Sequence, residues 1–404
     1  MRTFIIILCI VLVAVVAVAA YLLLTTPHDA APLSAPLTAS QQQLIARVPS
    51  DAEAYALIAA PAVLLRKLET NPVTTEAIAK WREEQPLPPK AMLGAADAIV
   101  WKRGKSTSYA IRFDPVRAFI VRIWTMSSDV ESQWDGRTLL IGEQRGAAFS
   151  PPAEVLMAEG LPPGDMFVVQ RKESRGAFPP IPRPAITSVK VTGNQIDITS
   201  RAPAKGDDRG GGLKPALHLL PTSAMLAIAF TDPPRVLGDV NRLVATDIED
   251  LVNGGATMAV YDVDTGTFLP RPFMAVVVPA DEQHRATLGK YDQAIQMVGQ
   301  TVEQQGELVV AFDRKSAVQY LKDGRTAMPW PANRWSVRID PARLIPVLRK
   351  VGDNPALRFA TPRLHRGARD LRRWMGGLEQ ARSIEAAAST TGDFEELRVR
   401  IASK

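Results

Sequence analysis

Residues 220–279 read LPTSAMLAIAFTDPPRVLGDVNRLVATDIEDLVNGGATMAVYDVDTGTFLPRPFMAVVVP, and the predicted fold follows from this stretch. The run LPTSAMLAIAF predicts a strand, and the Asp-Pro-Pro sequence at Asp232 predicts the start of a helix. An aspartate there accepts hydrogen bonds from the free N–H groups of the first helical turn, where a proline loses little. The runs ATMAVYDVD and RPFMAVVVP then predict two strands joined by a tight turn.

The junction between strand and helix recurs along the chain. Asp114-Pro115 and Asp340-Pro341 follow apolar runs in the same way as Asp232, and Ala60-Pro61 is a weaker version. In each case the apolar residues that follow fall on one helical face. The four sets are Leu64, Leu65 and Leu68; Val116, Phe119, Ile120 and Ile123; Val236, Leu237, Val240 and Val244; and Leu344, Ile345, Leu348 and Val351. Four such junctions in one chain indicate a repeated unit.

Short sequence strings also recur at a nearly constant offset. The opening VPSD begins at Val48, and the similar opening LPTS begins at Leu220. The string LLI at Leu139 is followed by LVV at Leu308, and MFV at Met166 is followed by WSV at Trp335, with the same offset in both cases. This spacing predicts a tandem duplication. The second copy carries a helical insertion, residues 341–381, before its closing strands SIEAAAS and ELRVRI.

The predicted fold class is α+β: a tandem duplication of mostly antiparallel sheet modules covered by helices, preceded by one N-terminal transmembrane helix. The chain of 404 residues has room for two or three domains. Tyr109, Ile111 and Phe113 alternate with less apolar residues, which predicts a half-buried strand with helices on one face of the sheet. The predicted segments are an anchor (1–24), a linker (25–47), the first repeat (48–204), a Gly-rich linker (205–219) and the second repeat with its insertion (220–404).

The N-terminal segment predicts the location of the protein. Residues 4–24 carry no charge and are long enough to span a bilayer, whereas the apolar core of a signal peptide is shorter. Cleavage after Ala19 is the alternative to an uncleaved anchor. Arg2 precedes the segment and no Lys or Arg follows it before Arg47, which predicts a cytoplasmic N-terminus. We therefore expect a single-pass protein of the bacterial inner membrane, with its body in the periplasm or otherwise outside the cytoplasm.

The layout resembles a bacterial family of membrane-anchored extracytoplasmic proteins of unknown function. The similar features are the N-terminal anchor, the openings VPSDAEAYALI and LPTSAMLAIAF, and the segment NGGATMAVYDVDTGTFLPRPFMAVVVPADEQHRATLGKYDQAI. The resemblance implies a location in the cell envelope. It transfers no catalytic residue and leaves the function open.

Sequence motifs for catalysis or metal binding have simpler structural interpretations. The aspartic-protease-like sequence VDTGT at Asp264 has no second copy, so it predicts a β-turn between strands. The sequence RGKS at Arg103 lacks the upstream glycine of a phosphate-binding loop and predicts a hairpin turn. None of the four histidines has a Cys or a second His at ligand spacing. The sequence therefore predicts no catalytic residue, no cofactor and no metal.

A row of arginines is the most unusual charge feature of the chain. Arg363, Arg366, Arg369 and Arg373 are separated by steps of three, three and four residues, which place them on one helical face. We interpret them as a contact for an anionic envelope component or an acidic protein partner, and the alternative is a solvated basic face. The net charge of +6 and the expected location do not favour nucleic acid.

Two hypotheses for the function follow. The first is a non-enzymatic envelope protein whose extracytoplasmic body binds or scaffolds a partner. The alternative is an extracytoplasmic hydrolase whose carboxylates are dispersed along the chain.

Overall fold

The structure is a computed structural model with an α+β fold, as predicted, and the chain divides into two units between Ala202 and Pro203. Unit 1 precedes this point and unit 2 follows it. The structure describes residues 31–84, 89–94, 96–127, 131–142, 160–171, 185–204, 215–231, 255–265, 271–290, 303–306, 308–354, 366, 369 and 378–404.

Unit 1 contains an antiparallel sheet of eight described strands. They are β1 (Ala54–Ala59), β2 (Asp97–Arg103), β3 (Ser106–Arg112), β4 (Ser132–Asp135), β5 (Thr138–Ile141), β6 (Met166–Gln170), β7 (Ala185–Val191) and β8 (Gln195–Pro203). Their order across the sheet is β4-β5-β3-β2-β1-β6-β7-β8. Each strand pairs antiparallel with its neighbours in this order.

The described helices of unit 1 lie on both faces of this sheet. They are α1 (Ala39–Ile45), α2 (Pro61–Thr70), α3 (Thr75–Glu84), α4 (Lys90–Leu93) and α5 (Pro115–Met126). Ile111 of β3 packs in one cluster with residues of α2, α4 and α5. The next residue, Arg112, points to the other face, where its side chain donates to Gln43 of α1. The expectation of helices on one face is therefore wrong for unit 1, and Tyr109, Ala110 and Ile111 are all buried.

The segment before residue 48 belongs to unit 1, which corrects the predicted linker 25–47 over its described part. Helix α1 begins with a capping box, in which Thr38 and Gln41 each accept a hydrogen bond from the other's backbone N–H. Leu33 forms a bridge with Gly164, and Leu44 is 1% exposed. The apolar residues of this segment are few and irregularly spaced, so their burial produced no periodic signal in the sequence.

Unit 2 contains eight described strands that also pair antiparallel with their neighbours. They are β10 (Leu226–Phe230), β11 (Ala256–Asp264), β12 (Arg271–Pro279), β13 (Glu303–Gln305), β14 (Leu308–Phe312), β16 (Trp335–Ile339), β17 (Ala381–Thr391) and β18 (Phe394–Ser403). Their order is β13-β14-β12-β11-β10-β16-β17-β18. Two short strands, β9 (Leu219–Pro221) and β15 (Arg325–Ala327), pair separately. The described helices are α6 (Glu282–Lys290), α7 (Arg314–Lys322) and α8 (Pro341–Asp353).

Three of the four predicted strand-to-helix junctions lie among the described residues, and each is followed by a helix. Asp114 caps α5 by accepting from two backbone N–H groups, and Asp340 caps α8 by accepting from one. The predicted apolar face of α8 is buried. The predicted face of α5 is wrong, because three of its four residues are exposed. The helix predicted after Asp232 lies outside the described residues, as does most of the predicted Gly-rich linker.

The helices that the structure describes are all too short or too polar to cross a membrane. The predicted anchor, residues 1–24, lies outside the described part of the chain.

Candidate functional site

Helix α5 is held in an unusual rotation by its N-terminal aspartate. One carboxylate oxygen of Asp114, Oδ1, accepts from the backbone N–H groups of Val116 and Arg117, each at 3.0 Å. The other oxygen, Oδ2, accepts from Nη1 of Arg117 at 2.7 Å. The Arg117 side chain is only 1% exposed, and a buried guanidinium is tolerated when a carboxylate neutralises it. Arg117 therefore lies on the inner side of the helix.

Small side chains complete the inner face of α5. Ala118 and Val121 are buried in the cluster that also contains Ile111 and Leu139 of the sheet. Thr125 is buried one turn further on, and its Oγ1 accepts from the Trp134 indole at 3.3 Å. Because these side chains are small, the helix packs close to the strands. The half-buried Trp124 also packs against this cluster, whereas other apolar residues of the helix lie on the opposite side.

The outer face of α5 is an exposed apolar ridge made of Val116, Phe119, Ile123 and Met126. These side chains are 40%, 66%, 54% and 85% exposed. Within the part of the chain that the structure describes, the exposed large hydrophobic residues all belong to this ridge. Single exposed apolar residues are ordinary, whereas a contiguous patch of a few hundred Å² marks an interaction site. The ridge is therefore our first candidate functional site.

The charged groups beside the ridge already have partners. Arg122 donates through Nη2 to the carbonyl oxygen of Gly136 at 2.5 Å, and its guanidinium lies 5.0 Å from the centre of the Trp134 ring. Arg117 is buried against Asp114, and residues 115–126 include no Asp or Glu. The ridge itself is thus apolar along the helix, and the exposed Arg122 beside it is held by the Gly136 carbonyl and the Trp134 ring.

A second surface, a polar cavity of about 210 Å³, lies on the other face of the sheet in unit 1. It is formed by the end of α1, the end of β3 and the turn between β4 and β5. Its lining consists of Gln43, Leu44, Arg47, Arg112, Asp135, Gly136, Arg137 and Thr138. No sequence pattern indicated this cavity, because its residues come from three separate segments that only the strand pairing brings together.

The predicted arginine face is described in part. Arg366 and Arg369 are helical and exposed, while Arg363 and Arg373 lie outside the described residues. A Cβ added to Gly352 would lie 3.3 Å from Cγ of Arg369, so the stem of this arginine packs against the end of α8. The predicted anionic contact at these four arginines stays a prediction.

The motifs that were interpreted as turns lie at strand ends. Arg103 pairs with Ser106 across a two-residue turn in which Gly104 has a positive φ of 59°, which confirms the hairpin. Asp264 is the last residue of β11 and pairs with Arg271 at the start of β12. The rest of the VDTGT sequence, residues 266 and 267, lies outside the described residues.

The described histidines include one that is buried. His284 is 4% exposed, and its Nδ1 lies 2.5 Å from Oδ1 of Asp281, the residue that precedes α6. This agrees with the interpretation of a satisfied histidine. Among the described residues, no group of three or more His, Cys, Asp or Glu side chains could hold a metal ion.

Two buried tyrosines form the most unusual titratable pair in unit 2. The hydroxyl of Tyr261 is buried without a hydrogen-bond partner in the structure, and the hydroxyl of Tyr320 is buried beside Arg325. Burial, with a smaller contribution from the Asp323 carboxylate, raises the pKa of Tyr261 well above its ordinary value. Burial also raises the pKa of Tyr320, although Arg325 opposes the shift. Phenols with raised pKa values stay protonated near neutral pH, so this pair is poorly suited to general-base catalysis.

The apolar ridge and the polar cavity are thus the two surfaces of unit 1 on which a functional proposal can rest. The ridge residues are neighbours on one helix, and three of them belong to the apolar face predicted from the sequence, whereas the cavity residues come from three separate segments that the fold brings together. Neither a family model, nor a curated protein, nor a solved structure matches this chain.

Proposed function

We propose that this chain is a non-enzymatic envelope protein whose extracytoplasmic body binds a partner protein through the apolar ridge of α5. The observation that carries the proposal is the exposure of Phe119, Ile123 and Met126 on a helix whose opposite face is already packed. Leaving these side chains in water forgoes the free energy that their burial would contribute, roughly 25 cal/mol for each Å². A bound partner would recover that free energy.

The spacing of the ridge favours a protein partner with an apolar groove. Val116, Phe119, Ile123 and Met126 stand at positions i, i+3, i+7 and i+10, which is the pattern of a helix that inserts its anchors into a groove. A lipid surface is less suited, because interfacial helices combine their apolar face with cations available to headgroups. On α5 the two cations are already engaged, Arg117 with Asp114 and Arg122 with Gly136.

The envelope location is part of the proposal and rests on the sequence of residues 4–24. We propose a single-pass anchor in the bacterial inner membrane, with everything after it outside the cytoplasm. A reporter that is active only in the cytoplasm, fused after Lys404, should stay silent. A mature protein that begins at Ala20 would contradict the uncleaved anchor.

We also infer that the body arose by tandem duplication. The two strand orders match element for element, from β4 with β13 to β8 with β18. Ile58 pairs with Met166 in unit 1, and Phe230 pairs with Trp335 in unit 2. Met166 and Trp335, which begin the recurring strings MFV and WSV, therefore occupy equivalent positions. The cross-strand pairs, followed from β1 to β5 and from β10 to β14, make Val309 the equivalent of Leu139. The recurring sequence strings predict Leu308 instead, one residue earlier.

The same inference is supported by the helix that follows the third strand of each unit. Asp114 caps α5 and binds the buried Arg117 three residues later. Asp281 occupies the equivalent place before α6 and binds the buried His284, also three residues later. A repeated pairing of a capping carboxylate with a buried basic side chain is an unusual detail for two unrelated helices to share.

The four arginines Arg363, Arg366, Arg369 and Arg373 remain our proposed contact for an anionic envelope component. The exposure of Arg366 and Arg369 supports it. Binding of the protein to anionic vesicles should weaken as salt rises, because the Debye length shortens to about 8 Å at physiological ionic strength. Changing all four residues to Gln should abolish that binding while the thermal stability stays nearly constant. Binding that ignores the four changes would contradict the proposed contact.

The partner proposal is tested by comparing two matched double variants of the full chain. Phe119→Ser with Ile123→Ser removes the centre of the ridge, whereas Arg314→Ser with Lys322→Ser changes two residues of α7 that lie outside the core. After crosslinking in native membranes, the protein bound to wild type is identified and its purified form is titrated against all three chains. The ridge variant should bind at least about 10-fold more weakly, and the α7 variant should bind like wild type.

Two results would contradict the proposed partner. Equal affinity of the ridge variant and wild type for the captured protein would show that the ridge is not the contact. If light scattering shows that wild type is a dimer and the ridge variant is a monomer, the ridge binds a second copy of this chain.

A further inference from the structure

The polar cavity in unit 1 has a strongly basic lining. Three of its side chains are the guanidinium groups of Arg47, Arg112 and Arg137, and one is the carboxylate of Asp135. The lining therefore carries a formal charge of +2. Guanidinium groups present paired N–H donors that match the oxygens of phosphate and carboxylate groups.

The three guanidinium groups are only partly neutralised. Arg112 donates through Nη1 to the uncharged Gln43 side chain at 2.5 Å, and the half-buried Asp97 carboxylate, on the residue paired with it across the strands, interacts with it electrostatically. Arg47 binds Asp135 at 2.6 Å, but that aspartate is 59% exposed, and such solvated ion pairs contribute little stability. Within the described chain, the side chain of Arg137 makes no hydrogen bond or ion pair, and only its backbone carbonyl is used, by Phe113. An incoming anion would therefore meet donors that are still available.

The cavity is open to solvent on one side and has room for a small polyatomic anion. Its volume of about 210 Å³ corresponds to roughly seven water molecules at about 30 Å³ each. A dianion matches the lining charge better than a monoanion does. We propose that this cavity binds a phosphoryl group, supplied as free phosphate or as the end of a phosphate monoester, between the guanidinium groups of Arg47, Arg112 and Arg137.

The turn that carries Arg137 does not require an arginine. In unit 2, Gln305 at the end of β13 pairs with Leu308 at the start of β14, and Gly306 has a φ of 58°, close to the 59° of Gly136. In sequence, Glu307 stands where unit 1 has Arg137. Arg137 therefore needs an explanation other than turn formation, and anion binding supplies one.

The experiment is calorimetric titration of the full 404-residue chain with inorganic phosphate at low salt. The test variant is Arg137→Gln, which removes an exposed guanidinium without a packing role. The matched control is Lys105→Gln, because Lys105 follows Gly104 in a turn of the same geometry, away from the cavity. Wild type and the control should bind phosphate with similar affinity. Arg137→Gln should bind at least about 10-fold more weakly, the effect of losing a charge-assisted hydrogen bond.

Each outcome decides the proposal. Absence of phosphate binding by wild type would overturn it. Equal loss of phosphate affinity in Arg137→Gln and Lys105→Gln would also overturn it, because that result would indicate only the general positive field of the protein. Acetate binding as tightly as phosphate would overturn the phosphoryl assignment. If glycerol 3-phosphate binds at least as tightly as phosphate, the source is an ester; if it binds more weakly, the source is free phosphate. Because the ridge lies on the other face of the sheet, this test does not depend on the proposed partner.

Discussion

Replacing Phe119 and Val121 by Ala, one at a time, separates the outer face of α5 from its inner face. Val121 is fully buried and Phe119 is 66% exposed, although the two are only two residues apart in one helix. From the side chains alone, Phe119→Ala would be expected to lower the free energy of unfolding more than Val121→Ala, because removing a buried Phe side chain costs about 3–5 kcal/mol. The structure predicts the opposite order.

The magnitudes follow from the burial of each side chain. Val121→Ala deletes two buried methyl groups at about 0.8 kcal/mol each and leaves a cavity, so unfolding of unit 1 should become easier by about 1.5–2.5 kcal/mol. Phe119 retains about a third of its burial energy, roughly 0.5–1 kcal/mol. The higher helix propensity of Ala returns about 0.5 kcal/mol. The net cost of Phe119→Ala should therefore be about 0.5 kcal/mol or less.

Urea unfolding of the full chain, followed by hydrogen exchange in peptides from β3 and β5, measures the stability of unit 1 for both variants. Ala118→Ser, a conservative change at a buried position of the same helix, checks that the assay responds to the inner face. If Phe119→Ala costs more than Val121→Ala, α5 is rotated differently from the structure and the ridge does not exist.

Three further predictions concern single positions. Gly164→Ala should destabilise unit 1 by about 1–3 kcal/mol in urea unfolding, because its Cβ would collide with Ser188 Oγ, while Gly193→Ala, which has open space, should be nearly neutral. Burial raises the pKa of Asp97 above its value in the unfolded chain. The contribution of Asp97 to stability is therefore full below about pH 4 and falls as the pH rises through the folded-state pKa. Asp97→Asn should stabilise the protein at pH 7 but not below about pH 4. The raised pKa of Tyr261 makes unit 2 lose stability as pH rises above about 10, and Tyr261→Phe should reduce this alkaline loss in pH-dependent unfolding.

The sequence predicted those parts of the fold that depend on local patterns. Asp114 and Asp340 were identified as helix starts because an aspartate before a proline satisfies the first N–H groups wherever it occurs. The strand pairs of both units were identified by their apolar runs. The rotation of α5 was not predicted, because the helix carries apolar residues on two faces and the charged Arg117 lies on the buried face.

The polar cavity could not be predicted from the sequence for a different reason. Arg47, Arg112 and Arg137 lie far apart along the chain, and only the pairing of β3, β4 and β5 and the packing of α1 bring them to one cavity. No spacing pattern in the sequence indicates that such distant residues line one cavity. The predicted arginine face, in contrast, came from helical spacing alone, which indicates a shared face but not what contacts it.

The central claim is that the outer face of α5 contacts a partner protein, and a photocrosslinking scan across residues 115–126 tests it most directly. A photoreactive residue is placed at each position in turn, in the full chain in native membranes, and the adducts are quantified. The account predicts maxima at 116, 119, 123 and 126 and minima at the buried positions 117, 121 and 125. Adducts of equal yield around the helix, or none at any position, would contradict it.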